Sequence, residues 1–181
     1  RIATVSNYTR TDIAEQYQIP LQNIDVVYNG ANAIYQPLEE KEQIVTRQKH
    51  AQGCPYFLFV GAIHPRKNLH NMLRAYDAFK NQTQSKVKFL IAGRKAWQSK
   101  EAFDVYQNMQ HKEEVLFLGH LQLAELAKIY ASALGLVYAS IFEGFGIPIL
   151  EAMHTDTPVI TANTSSMPEV AGDAAILVDP L

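Results

Sequence analysis

From Tyr56 onward the chain alternates between two apolar patterns. Short continuous apolar runs at Tyr56–Val60, 87–92, 115–118, 134–139, 158–161 and 174–178 read as strands. Between them, apolar residues recur at helical spacing. Leu69, Met72, Leu73 and Tyr76 form one such face, and Leu123, Leu126, Ala127 and Tyr130 another. A weaker helix is predicted over 100–109, and a further one over Ile147–His154. The strand runs are continuous rather than alternating, which predicts burial on both faces and hence a parallel sheet covered by helices. With right-handed crossovers the expected fold is α/β, a Rossmann-like doubly wound domain.

The first fifty residues follow a looser pattern. Strand-like residues 2–5 lead to Ser6, a suitable N-cap for a helix over Asn7–Tyr17 that Pro20 stops. A strand over 24–28 closes at the turn signal Asn29-Gly30. Residues 39–50 are polar and helix-prone, as expected of a surface helix. Asn68 is positioned to cap the helix that begins with Leu69.

Composition narrows the function classes. The chain has 181 residues, 48% apolar and 19% charged, enough for one domain with a real core, taken as 1–181. A net charge of −2 gives no sign of a nucleic-acid partner. Cys54 is the only cysteine, so no intrachain disulfide forms, which favours a reducing compartment. No run reaches the roughly 20 apolar residues of a membrane span, and no secretory signal pattern is present. The chain has no starting Met and is expected to be a piece of a longer protein. A cytoplasmic location is expected, with any membrane association supplied by the parent protein.

In a doubly wound sheet, ligands bind beyond the C-terminal ends of the strands. Gly61, Arg66, Gly93, Gly119 and Glu143 all follow such ends. The stretch from Glu143 to Glu151 sets two carboxylates around Gly144-Phe145-Gly146-Ile147-Pro148 and the start of a helix. Gly144 and Gly146 permit positive φ, and Pro148 suits the first helical position. Carboxylates accept from the neighbouring hydroxyls of a sugar or ribose, while free N–H groups at a helix start attract phosphate. A single Glu at such a place can merely complement the helix dipole; the pair around the glycines favours a ligand with both hydroxyls and phosphates. Arg66-Lys67 adds a guanidinium fork and a point charge suited to a diphosphate. Arg94-Lys95 is a second basic pair after a strand. His, Cys and Asp form no cluster at metal-ligand spacing. The Gly144/Gly146 pair is only a fragment of the dinucleotide fingerprint and falls too late in the chain for one.

These residues resemble a known family: the C-terminal, donor-binding domain of retaining GT-B glycosyltransferases of family four, the group 1 glycosyl transferases. The likeness runs through Val5-Ser6 with Thr9 and Asp12, Val27-Tyr28-Asn29-Gly30, and Gly61 with Arg66-Lys67-Asn68. It continues through Ala92-Gly93, Gly119-His120 and 143–153, then Thr157-Pro158-Val159-Ile160, 165–170 and 172–175. The resemblance implies that Arg66 and Lys67 hold the donor diphosphate and stabilise the leaving nucleotide. It implies that Glu143 contacts hydroxyls of the transferred sugar and Glu151 the ribose. Backbone around Gly144, Phe145, Gly146 and Ile147 would face sugar or phosphate, with Gly61, Gly93 and His120 completing the donor pocket. The donor would be a nucleotide-diphosphate sugar bound without cofactor or essential metal. The acceptor, a glycan, lipid or small molecule, would sit mostly on an N-terminal domain of the same protein, with 1–50 lying near the interdomain connection. The sequence leaves open whether retention uses a front-face route or a covalent intermediate on Glu143. A non-catalytic nucleotide-sugar module and a GT-B epimerase or phosphorylase are the alternatives. One departure is 153–158, where the family often has a small residue and Gly; Asp156 can occupy a left-handed turn there, though less readily than Gly.

Overall fold

The computed structural model describes residues 1–94 and 100–181. Six strands form one parallel sheet in the order β5-β4-β3-β6-β7-β8. They are β3 (Tyr56–Val60), β4 (Lys88–Ala92), β5 (Val115–Gly119), β6 (Gly135–Tyr138), β7 (Val159–Ala162) and β8 (Ala175–Val178). Two further strands, β1 (Ile2–Thr4) and β2 (Ile24–Val26), pair in parallel as a separate small sheet. Helices α1 (Asn7–Tyr17) and α2 (Glu40–Ala51) precede the main sheet. Helices α3 (Leu69–Thr83), α4 (Lys100–Asn108), α5 (Leu123–Ala131), α6 (Ile147–His154) and α7 (Met167–Ala171) connect its strands. Among the described residues no helix is long and apolar enough to cross a membrane.

The winding reverses once. From β3 the chain steps outward to β4 and β5, crosses back to β6, and steps outward the other way to β7 and β8. Right-handed crossovers then put α3 and α4 on one face and α5, α6 and α7 on the other. Accordingly α3 packs on α4, and α5, α6 and α7 pack in succession. The switch point lies between β3 and β6, the neighbours from which the two halves diverge.

The expected two-sided burial holds at the centre: every residue of β4 is buried. It fails at the edge strand β8, whose Ile176 is 64% exposed. The α3 face is as the spacing predicts, with Leu69, Met72, Leu73 and Tyr76 all buried. In α5 the inner face turns slightly: Leu123 is exposed and Ile129 fully buried. Helix α7 has no strong apolar period in the sequence; Pro168 in its first turn and Ser166 before it mark its start. Pro148 occupies the second position of α6, one later than the sequence suggests.

Three strand-end glycines pack backbone to backbone. Gly61 N–H donates to Ala92 at 2.9 Å, and Gly93 N–H to Gly119 at 2.9 Å. A Cβ at Gly93 would lie 2.0 Å from the Gly61 carbonyl oxygen. Only a residue without a side chain lets the ends of β3 and β4 approach so closely. We therefore expect Gly93→Ala to cost about 3 kcal/mol, the upper end of overpacking penalties. Gly30→Ala meets open space at a backbone φ that any residue adopts and is expected to change stability by less than about 1 kcal/mol. Urea unfolding of the two variants checks the contrast.

Candidate active site

The loops leaving β3 and β6 flank the switch point, and both carry ionic side chains. After β3, Pro65–Lys67 forms a single 3-10 turn. His64 caps it, its Nδ1 accepting from the Arg66 N–H at 3.2 Å, so this histidine is structural. After β6, the loop brings Glu143 back over the same edge. The backbone joins the loops directly, Ile141 N–H donating to the Arg66 carbonyl at 2.8 Å.

Glu143 is buried and meets both cations. Lys67 Nζ lies 2.6 Å from Oε1 and Arg66 Nη1 2.8 Å from Oε2. Lys67 also donates to the Tyr138 hydroxyl, and Arg66 to the Phe142 carbonyl at 3.0 Å. The side chains of Lys67 and Glu143 are 11% and 9% exposed, that of Arg66 45%. The buried pair is thus fixed, while the guanidinium faces solvent. Burial pushes the Glu143 carboxyl up, but Lys67 and Arg66 outweigh it and hold it below the ordinary range. For Lys67 burial wins, and its pKa falls in spite of Glu143. The Tyr138 phenol is driven far up, by burial first and then by the Glu143 charge.

Polar groups that carried no role in the sequence reading hold this loop. Ser165 Oγ accepts from the Glu143 N–H at 3.1 Å, and Ser166 Oγ donates to the carbonyls of Glu143 and Phe145. Ser140 is fully buried beside them; its hydroxyl makes no hydrogen bond of proper geometry but is close enough to help hold the Glu143 carboxyl down. Ser165 and Ser166 lie within the family-like stretch 165–170, which was their only signal; Ser140 and Tyr138 had none.

The glycine turn follows. Gly146 has φ 106° and serves as N-cap of α6, whereas Gly144 does not adopt positive φ. Gly144 instead offers its carbonyl to Ser6 Oγ at 2.7 Å and Thr9 Oγ1 at 3.1 Å, which tie α1 to the turn. Ser6 caps α1 as expected, accepting from the Thr9 N–H. Phe145 is buried against Tyr28, and Tyr8 sets its ring edge on Phe142. Glu169 on α7 completes the clamp, accepting from the N–H groups of Asn7 and Tyr8 and from Tyr28 Oη. Burial raises the Glu169 carboxyl, but these donors outweigh it and hold it below the ordinary range. Among the described residues, no protein acceptor meets the N–H groups of Gly144, Phe145, Gly146 or Ile147, which leaves them free to meet a ligand.

Glu151 sits in the second turn of α6, half-buried, with Tyr130 Oη donating to its Oε2 at 2.8 Å. Asn68 differs from expectation. Its backbone is left-handed at φ 58° and its side chain does not cap α3. It donates instead to the carbonyls of Ala139 and Pro180, stitching β6 to the segment after β8. Asp156 does take the left-handed turn, at φ 55°. Gly93 ends β4, and exposed His120 follows the edge strand β5, two strands from β3. Arg94 is exposed; Lys95 lies outside the described residues.

With this geometry, comparison with known proteins is informative. The family model for glycosyl transferases group 1 matches residues 40–180. The O-antigen chain mannosyltransferase B of Escherichia coli is 32% identical over 99% of this chain and 47% of its own length. The O-antigen chain mannosyltransferase RfbU of Salmonella typhimurium is 31% identical over 99% of this chain and 46% of its own. The chain spans about half the length of the curated relatives it matches. Among solved structures, Anabaena Alr3699/HepE in complex with UDP and glucose aligns with TM-score 0.84 at 21% identity, over 98% of this chain and 49% of that one. WaaG, a glycosyltransferase of lipopolysaccharide biosynthesis, aligns with TM-score 0.84 at 17% identity, over 98% and 48%. The fold is that of the Rossmann-like C-terminal half of GT-B glycosyltransferases.

Two outcomes test the electrostatics. Glu143→Leu leaves Lys67 buried without its counter-charge and should cost about 3–5 kcal/mol; Lys67→Met added to it should restore much of that. Urea unfolding of the single and double variants reads the coupling. Glu143 and Glu169 both have depressed carboxyl pKa values, so each contributes stability above the ordinary glutamate value of 4.5. That contribution is lost as pH falls through the lower folded values. Glu169→Gln should therefore flatten the acid limb of a stability-versus-pH curve.

Proposed function

Because the chain belongs to the glycosyl transferases group 1 family, we propose that it is the donor-binding half of a retaining glycosyltransferase acting on a nucleotide-diphosphate sugar. The observation that carries this reading is the convergence of Arg66, Lys67 and Glu143 from the two loops flanking the switch point. Arg66, the more exposed cation, swings from Glu143 to the diphosphate. Lys67 stays on Glu143 and aims its carboxylate at the hydroxyls of the transferred sugar. The free N–H groups at 144–147 take sugar or phosphate oxygens, and Glu151 takes the ribose hydroxyls. Gly61 and Gly93 let the backbone approach the nucleotide, and His120 borders the base.

In the reaction, the bond from the anomeric carbon to the phosphate oxygen breaks and its electron pair leaves with the diphosphate. Positive charge grows on the ring and negative charge on the leaving group, which Arg66 contacts and toward which Lys67, still on Glu143, adds its charge. These cations support donor binding without an essential metal. Lys67 stays paired with Glu143 Oε1 in an almost fully buried contact, which weakens the carboxylate as a nucleophile. That favours the front-face route, in which the acceptor attacks on the leaving-group side and its proton passes to a phosphate oxygen. The mannosyltransferase relatives favour a hexosyl donor, mannosyl first. The acceptor is bound mostly by an N-terminal domain of the parent protein, so the isolated chain should bind nucleoside diphosphate weakly and transfer little sugar.

Calorimetric titration of UDP, GDP and ADP, then of their sugars, tests the site. One nucleotide should bind, Arg66→Ala should weaken it roughly tenfold to a hundredfold, and EDTA should leave affinity unchanged. Failure of all three to bind would overturn the assignment.

A further inference from the structure

Glu151 does not stand alone in the structure. Tyr130 and Tyr35 meet beneath it, rings edge to face with centroids 5.5 Å apart. Both side chains are buried: Tyr130 is inaccessible and Tyr35 2% exposed. Tyr130 is locked by its neighbours, its backbone carbonyl accepting from Thr157 Oγ1 at 2.7 Å, and its hydroxyl donates to Glu151 Oε2. Tyr35 is different. Its hydroxyl is buried with no hydrogen bond of proper geometry, although it lies close enough to the Glu151 carboxylate to feel it as a hydrogen-bond acceptor. Burial first, and then Glu151, push the phenol pKa of both tyrosines up, so both remain proton donors. A buried phenol usually finds a partner, and an orphaned one in a native structure calls for a reason. Tyr35 also lies outside the family match, which begins at residue 40.

We propose that Tyr130 and Tyr35 are positioning residues that make Glu151 a ribose reader. Tyr130 holds one carboxylate oxygen and fixes the side chain. A carboxylate has acceptor sites for several donors at once, so the other positions stay open toward the ligand. The Tyr35 hydroxyl is a donor held in reserve. When Glu151 turns to accept from the ribose hydroxyls, Tyr35 reaches the carboxylate and the orphaned group becomes satisfied. Ribose binding is thereby coupled to filling an empty hydrogen bond. A site built in this way rejects a ligand lacking the hydroxyl, because its buried groups are then left unpaired. The inference rests on the donor-site reading given above for Glu151.

The test uses the full-length protein, with the tightest-binding of UDP, GDP and ADP, its 2′-deoxy and 3′-deoxy forms, and inorganic pyrophosphate. Calorimetry gives the affinities, and thermal unfolding reports the apo fold. The unsubstituted protein should bind at least one deoxy form about tenfold more weakly than the ribonucleotide. Tyr130→Phe should weaken the ribonucleotide about tenfold and leave the deoxy form and pyrophosphate unchanged. Tyr35→Phe should keep or raise the apo unfolding temperature, since it removes an unpaired buried hydroxyl, yet weaken the ribonucleotide about threefold. This second variant keeps the ring packing and carries the test if Tyr130→Phe folds poorly. Equal weakening of every ligand, or none, in the tyrosine variants would overturn the inference while Glu151→Gln still abolished discrimination. If Glu151→Gln left discrimination intact, or no nucleotide bound, both the ribose assignment and this inference would fall.

Discussion

A buried carboxylate stays charged only if charge or donors surround it, and Glu143 is the place where this molecule meets that requirement. Its partners, Lys67 and Arg66, come from the loop after β3, while Glu143 comes from the loop after β6. The ion pairs therefore fasten together the two halves of the sheet where their winding diverges. Desolvation opposes every member of the cluster. The surrounding groups offset that cost: Tyr138 on Lys67, Ser165 and Ser166 on the Glu143 backbone, and the Phe142 carbonyl on Arg66. The same arrangement stores a pair of cations at a cleft without leaving them uncompensated in the absence of ligand.

The geometry around this cluster depends on backbone proximity that a side chain at Gly93 would prevent. Gly61, Gly93 and Gly119 end adjacent strands in near contact, so the loops beyond them start from one level edge. On the opposite rim, Ser6 and Thr9 tie the start of α1 to the glycine turn, and Glu169 ties the same end of α1 to α7. The turn that presents free N–H groups is thus held from both sides. A site of this kind owes its shape to hydrogen bonds between segments as much as 162 residues apart in sequence.

Much of this was legible in the sequence because the relevant signals are local. Continuous apolar runs announced β3, β4 and β6, and the i, i+3, i+4 spacing of Leu69, Met72, Leu73 and Tyr76 announced α3. Arg66-Lys67 and Glu143 were visible as charged residues just past strand ends, where a doubly wound sheet gathers ligands. Helix α7 escaped because five residues are too few to show a period. Asn68 was read as a cap because its side chain suits one, but two carbonyls brought close only by folding, those of Ala139 and Pro180, compete for the same amide. Gly144 looked like a residue chosen for positive φ, yet its carbonyl is what the neighbouring helix uses.

The sequence by itself determined the parallel α/β architecture, the edge of the sheet that carries chemistry, and the charged residues placed there. Those properties follow from hydrophobic period and from position relative to strand ends, both of which act along the chain. Only the tertiary structure decided which charges pair, that Glu143 rests on Lys67 and Arg66 without ligand, and that Glu151 lies over two buried phenols. Such pairings depend on distances between residues far apart in sequence and on how much water is excluded around them. No local pattern encodes either quantity, so the fold had to set them.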